Sequence, residues 1–254
     1  MPVGVVEYLP GPRGSRLAFQ QSQGAAPTLV WLCGFRSDMS GTKAAATHAW
    51  ADAHGRAFLR FDYSGNGLSE GAFEDGTIGA WLHDTLAMLD ARTAGPLILV
   101  GSSMGGWIAL LAARARPERV KALVLIAPAP DFTERLMWPE LSDDARRSIM
   151  EDGHWNRPSA YGDGPTPITR RLIEDGRNHL LMDAPIRFDG PVRILHGQCD
   201  PDVPWRLSLE LAERLTCADV RITLVKNGDH RLSATTDLAL LQDTVSSLCA
   251  QLIS

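Results

Sequence analysis

The chain has 254 residues, of which 44% are hydrophobic, enough for one sizeable core or a core with an insertion. Its formal net charge of -5, with 22% charged residues, provides no global field to draw it to nucleic acid or anionic lipid. No apolar run approaches the roughly 20 residues needed to cross a bilayer, and the four cysteines fit neither a zinc site nor a disulfide framework.

The segment 1–10 lacks the basic start and long apolar run of a signal peptide, and without Arg- and Ser-rich amphipathic character it is not expected to be a transit peptide. Free thiols and a cytoplasmic location are expected. Strands are predicted at 5–9 and 16–20, joined by the turn Pro10-Gly11-Pro12-Arg13-Gly14. A third strand at 28–32 runs into Cys33-Gly34-Phe35-Arg36-Ser37. A fourth at 56–61 runs into Asp62-Tyr63-Ser64-Gly65-Asn66-Gly67-Leu68-Ser69. Those glycines fail the dinucleotide-loop spacing, because Glu70 stands where a third glycine is wanted. The stretch reads as a structural turn. Thr77 then caps a helix with Ile78, Trp81, Leu82, Leu86 and Leu89 on one face, ended by Gly95.

The strand at 97–100 leads into Gly101-Ser102-Ser103-Met104-Gly105-Gly106 and the helical run 107–115. G-x-S-x-G between a strand and a helix is the pattern of a nucleophile elbow, in which a strained serine projects from the sheet. Side chains two positions to either side would meet backbone, hence Gly101 and Gly105. After a strand at 122–126 the alternation stops. Residues 129–190 hold two short helix candidates, one after Ser142 and one starting at Thr166-Pro167, with a turn-rich piece between them. So long a detour reads as a helical lid. Strands resume at 192–196 and 221–225. A helix with Pro204 in its first turn lies between them, and a last helix is capped by Ser233.

The order of elements predicts an α/β fold with a mostly parallel eight-stranded sheet flanked by helices. Residues 1–128 and 191–254 form the core, and 129–190 form a lid inserted after strand 6. A serine hydroxyl needs a base, and His230, just past the last strand, has the right position. The acid comes from His196-Gly197-Gln198-Cys199-Asp200-Pro201-Asp202. Asp200 is preferred over Asp202, which adjoins a helix start. The oxyanion donors are the N–H groups of Phe35 and Met104. Trp138, Trp155, Tyr161 and Trp205 are candidates for the substrate pocket. The other reading of these tryptophans and the tyrosine is lid packing.

These motifs, in this order, resemble the α/β-hydrolase superfamily over nearly the whole length. Within it the chain resembles a family of acyl-glucuronide esterases and palmitoyl-protein thioesterases. The resemblance is carried by Gly41-Thr42-Lys43, by Phe61-Asp62-Tyr63-Ser64-Gly65, by Val100-Gly101-Ser102-Ser103 with Gly105-Gly106-Trp107, by Leu195-His196-Gly197 and Val203-Pro204-Trp205, and by Asp229-His230-Arg231. It implies hydrolysis of a small-molecule ester or thioester, or of an acylated protein, through a serine acyl-enzyme without metal or cofactor. A carbon–carbon bond hydrolase, a cofactor-free perhydrolase and a non-catalytic ligand-binding homologue are the alternatives.

Overall fold

The computed structural model describes residues 5–158 and 164–253. The first strands are β1 (Glu7–Pro10), β2 (Arg16–Ser22), β3 (Ala25–Leu32), β4 (Arg56–Phe61), β5 (Leu97–Ser102) and β6 (Val120–Ile126). Next come β7 (His154–Arg157) and β8 (Thr166–Thr169), then β9 (Val192–Gly197) and β10 (Val220–Val225). Eight of them make one sheet in the order β1-β2-β4-β3-β5-β6-β9-β10. The pairs β1–β2 and β2–β4 are antiparallel and the rest are parallel. The central strands are buried along continuous apolar runs, such as Leu97, Ile98, Leu99 and Val100. Such runs suit a parallel sheet covered on both faces.

The covering helices are α1 (Thr42–Ala53), α2 (Ile78–Arg92) and α3 (Met104–Ala115), with two more after the insertion. Thr77 does cap α2: its side chain accepts from the Ala80 N–H, worth about 1 kcal/mol. Trp81 and Trp107 are fully buried under these helices. The four cysteines are free thiols. Among the described residues no helix is long and apolar enough to cross a membrane.

Residues 129–190 differ in part from the predicted pair of short helices joined by a turn-rich piece. Thr133–Met137 forms a π-helical turn that runs into α4 (Trp138–Glu140). Ser142 caps α5 (Asp143–Glu151), as its position predicts. The turn-rich piece, however, contributes an antiparallel ribbon of β7 and β8. Thr166-Pro167 begins a strand rather than a helix. In a two-stranded ribbon half of the N–H groups point away from the partner, so Pro167 can sit opposite Asn156. The helix starts later, as α6 (Arg170–Arg177) capped by Thr169.

The insertion is fastened to the core by named bonds. Asp175 Oδ2 accepts from Gly79 N–H at the start of α2, at 2.7 Å. Trp107 Nε1 donates to His179 O, and Arg171 pairs with Asp75. Asp131, just after β6, accepts from the N–H groups of Leu181 and Met182.

The chain ends with α7 (Arg206–Arg214) and α8 (Thr235–Gln251). The last helix is not capped by Ser233, whose hydroxyl turns to Arg231 O. Ala234 holds the cap position, and Asp237 reaches back to its N–H.

Candidate active site

Ser103 sits between β5 and α3 at φ 55°, ψ -119°. A non-glycine residue at positive φ stores about 1–3 kcal/mol of strain, so neighbours must hold it there. Ser103 N donates to Ile126 O at 2.8 Å, and Ser103 O accepts from Ala129 N at 3.1 Å. The flanking glycines are sterically required. A Cβ at Gly101 would lie 2.3 Å from Gly105 O, and one at Gly105 would lie 2.1 Å from Leu32 O. Gly105→Ala is therefore expected to push α3 off β3. It should destabilise the fold by at least about 2 kcal/mol, as a backbone clash at a special position does, and abolish activity. Urea denaturation beside the wild-type protein checks this, and an unchanged midpoint would contradict it.

The candidate acid and base follow their own strands at the same carboxyl edge of the sheet. Asp200 comes after β9 and His230 after β10. Backbone bonds join the two loops: Gln198 N donates to Val225 O, and Cys199 N to Gly228 O. His230 Nδ1 lies 2.7 Å from Asp200 Oδ2. Asp200 Oδ1 accepts from the N–H groups of Asp202 and Val203, at 2.8 and 2.9 Å. The Asp200 side chain that meets His230 is fully buried. Burial alone would push its carboxyl up. The hydrogen bonds from His196, His230 and Val203 outweigh that and hold it below the usual carboxylate range.

Ser103 Oγ has no hydrogen-bond partner among the described residues. Such contacts are commonly loose before substrate binds. Lys43, on the first turn of α1, donates its Nζ to the carbonyl of Arg231, the residue after His230. Burial lowers this amine to about 8.

Neither the Phe35 nor the Met104 N–H has a hydrogen-bond partner among the described residues. Met104 is the first residue of α3, where helix geometry leaves the N–H free. The Phe35 loop lies against the serine: a Cβ at Gly34 would stand 3.3 Å from Ser102 O and in ordinary contact, at 3.4 Å, with Ser103 Cβ. Asp62 ties the chain just beyond this loop to its own turn. Its carboxylate accepts from Met39 N at 2.7 Å and Leu68 N at 2.8 Å. Burial pushes the carboxyl up to about 6, against these bonds. The turn 62–69 is thus structural, as its spacing predicts.

Of the predicted pocket residues, Trp138 lies in the insertion with Arg146 and Arg177 over its ring, at 5.7 and 5.3 Å. Trp155 is on β7 opposite Ile168. Trp205 is the N-cap of α7, with the Arg206 guanidinium over its ring at 4.5 Å. Tyr161 lies outside the described residues. An aromatic group that sequence reasoning passed over adjoins the Phe35 loop. Phe35 packs on Phe73, Trp81 and Phe132, with ring centroids 5.2, 6.0 and 5.5 Å away, and Phe132 reaches Trp107 on α3. Phe132 follows β6 closely, the one cue that it belongs near the sheet edge.

The model of the α/β hydrolase fold family matches residues 45–184. The chain belongs to that family and is a hydrolase. Over 97% of its length it is 39% identical to the Bos taurus palmitoyl-protein thioesterase ABHD10, mitochondrial, covering 81% of that protein. The structure of mouse α/β hydrolase domain-containing protein 10 superimposes with a TM-score of 0.90 at 39% identity, over 98% of this chain and 100% of that one. A crystal structure from Agrobacterium vitis S4 gives 0.93 at 42% identity, over 98% and 100%. These relatives correct one expectation. The bovine, mouse and rat proteins are named mitochondrial, so the cytoplasmic location expected from the chain's start does not stand.

Proposed function

We propose that the protein is a serine hydrolase that cleaves carboxylic esters and thioesters through an acyl-enzyme on Ser103. His230 takes the proton of the Ser103 hydroxyl as Oγ attacks the acyl carbonyl. The N–H groups of Phe35 and Met104 stabilise the oxyanion. As the tetrahedral intermediate collapses, His230 returns the proton to the departing alcohol or thiol. Water, activated by the same imidazole, then frees the acid and restores Ser103. Asp200 holds the His230 ring so that Nε2 faces the serine. The observation that carries the reading is the 2.7 Å bond between Asp200 and His230 at the sheet edge where the strained Ser103 stands.

The acyl group is assigned to the apolar side of the Phe35 loop, against Phe35 and Phe132. Trp138, Trp155 and Trp205 are assigned to the outer wall. Residues 129–190 serve as the lid over a core of 1–128 and 191–254. Thioester cleavage is favoured by the names of the relatives, which are palmitoyl-protein thioesterases. The test is a panel of acyl esters and acyl thioesters of graded chain length, with labelling of Ser103 by a fluorophosphonate probe. Turnover of both classes with labelling at Ser103 is expected. Peroxide-dependent halogenation without ester cleavage would instead indicate a perhydrolase. A folded protein that neither turns over substrate nor takes the probe would be a ligand-binding homologue.

A further inference from the structure

His196 closes β9 and is fully buried. Its Nδ1 lies 2.6 Å from Ser208 Oγ. Its Nε2 lies 3.2 Å from Asp200 Oδ2 and 3.0 Å from Val203 O. A carboxylate oxygen and a carbonyl oxygen both accept, so Nε2 must carry the proton. The Ser208 hydroxyl then donates to Nδ1. Ser208 thus fixes the ring's tautomer from one side, and two acceptors fix it from the other.

Asp200 Oδ2 therefore receives two imidazole N–H groups, from His196 and His230, while Oδ1 receives two backbone N–H groups. The carboxylate is held at four points, and the proposed mechanism uses only one of them. We propose that His196 is a positioning residue for the acid: it fixes the Asp200 carboxylate in its orientation toward His230 and draws off part of its charge. This rests on the reading of Ser103, Asp200 and His230 as the reacting set. The titratable groups facing the Asp200 carboxylate are His196, His230 and the exposed Asp202.

Two effects follow from removing the second imidazole. The carboxylate loses a point of attachment, so the His230 ring is held less firmly and turnover falls. The undivided carboxylate charge also acts on His230, so that imidazole keeps its proton to higher pH. A residue needed only for packing would lower stability and leave the pH profile in place.

The experiment compares His196→Leu and His196→Gln in the full chain. His196→Leu is expected to lose about 10- to 100-fold in kcat with KM little changed, the size of effect seen when an outer hydrogen-bond partner is removed. The acid limb of its kcat/KM profile should move up by about half a pH unit or more. His196→Gln keeps an N–H at the place of Nε2 and is expected to restore both values. A folded leucine variant with the wild-type limb, or a glutamine variant as impaired as the leucine one, overturns the proposal. Nitrogen-15 NMR of the wild-type imidazoles needs no variant: the proton of His196 is expected on Nε2 at neutral pH and above. A proton on Nδ1 overturns the proposal even if the leucine variant fails to fold. Failure of the fluorophosphonate to label Ser103 in the wild-type protein overturns the triad instead, and the tautomer measurement separates the two.

Discussion

Replacing Ser103 with alanine is expected to lower kcat on short-chain p-nitrophenyl esters by roughly 10⁴–10⁶-fold, the scale on which serine hydrolases lose their nucleophile. KM should change little, because the hydroxyl contributes to bond making rather than to holding substrate. The fold should persist. Alanine needs the same positive φ as serine, and the bonds at Ser103 that hold the elbow to Ile126 and Ala129 are made by backbone atoms. Circular dichroism and a thermal melt establish that the variant is folded. Steady-state rates and a fluorophosphonate label, read by mass spectrometry, then measure the chemistry. A folded variant with more than about a hundredth of the wild-type rate would remove Ser103 from the mechanism.

Asp200→Asn is expected to cost about 10⁴-fold in kcat, the size of effect that a wrong imidazole tautomer produces. The hydrogen bonds say which way the new amide turns. Asp202 N and Val203 N both donate to Oδ1, so the amide oxygen stays there and the NH₂ group takes the place of Oδ2. It then points a donor at His230 Nδ1, which must accept. The proton moves to Nε2, the atom that has to be free to take the Ser103 proton. The same NH₂ group also faces the N–H of His196, which is left with Val203 O alone. The variant should therefore be both inactive and less stable. Activity within tenfold of the wild type would show that the carboxylate does not set the tautomer of His230.

Parts of this site are legible in the sequence because their causes are local. Gly101 and Gly105 stand where any side chain would strike backbone, so the strain at Ser103 is written into five residues. Thr77 and Ser142 cap helices through bonds to residues three positions on. That Asp200 and His230 meet is foreseeable because each is placed by the end of a strand. The misreadings arise where the cause is distant or ambiguous. Proline after threonine suits a helix start and also a ribbon strand, and pairing with the exposed 154–157 segment decides for the strand at Pro167. Helix α1 lacks a side-chain cap, so its start carries no local signal. Ser233 resembles a cap, but Asp237 completes the turn one residue later. The second bond of Asp200, to His196, depends on two side chains converging at one atom, which no spacing rule encodes.

The clasp at Asp131 also bears on how the protein can change. Its carboxylate binds the N–H groups of Leu181 and Met182, so the segment that leaves the sheet after β6 is gathered back at its own base. The described residues between 131 and 181 are gathered at that closure and are tied to the core again through Asp175, Arg171 and His179. Closing a loop at its neck makes the cost of further length grow only logarithmically. Away from those ties, material can therefore be added to or taken from this segment with little tension passed to β6 and β9. The strands that carry Ser103, Asp200 and His230 are thereby spared from changes made away from those ties.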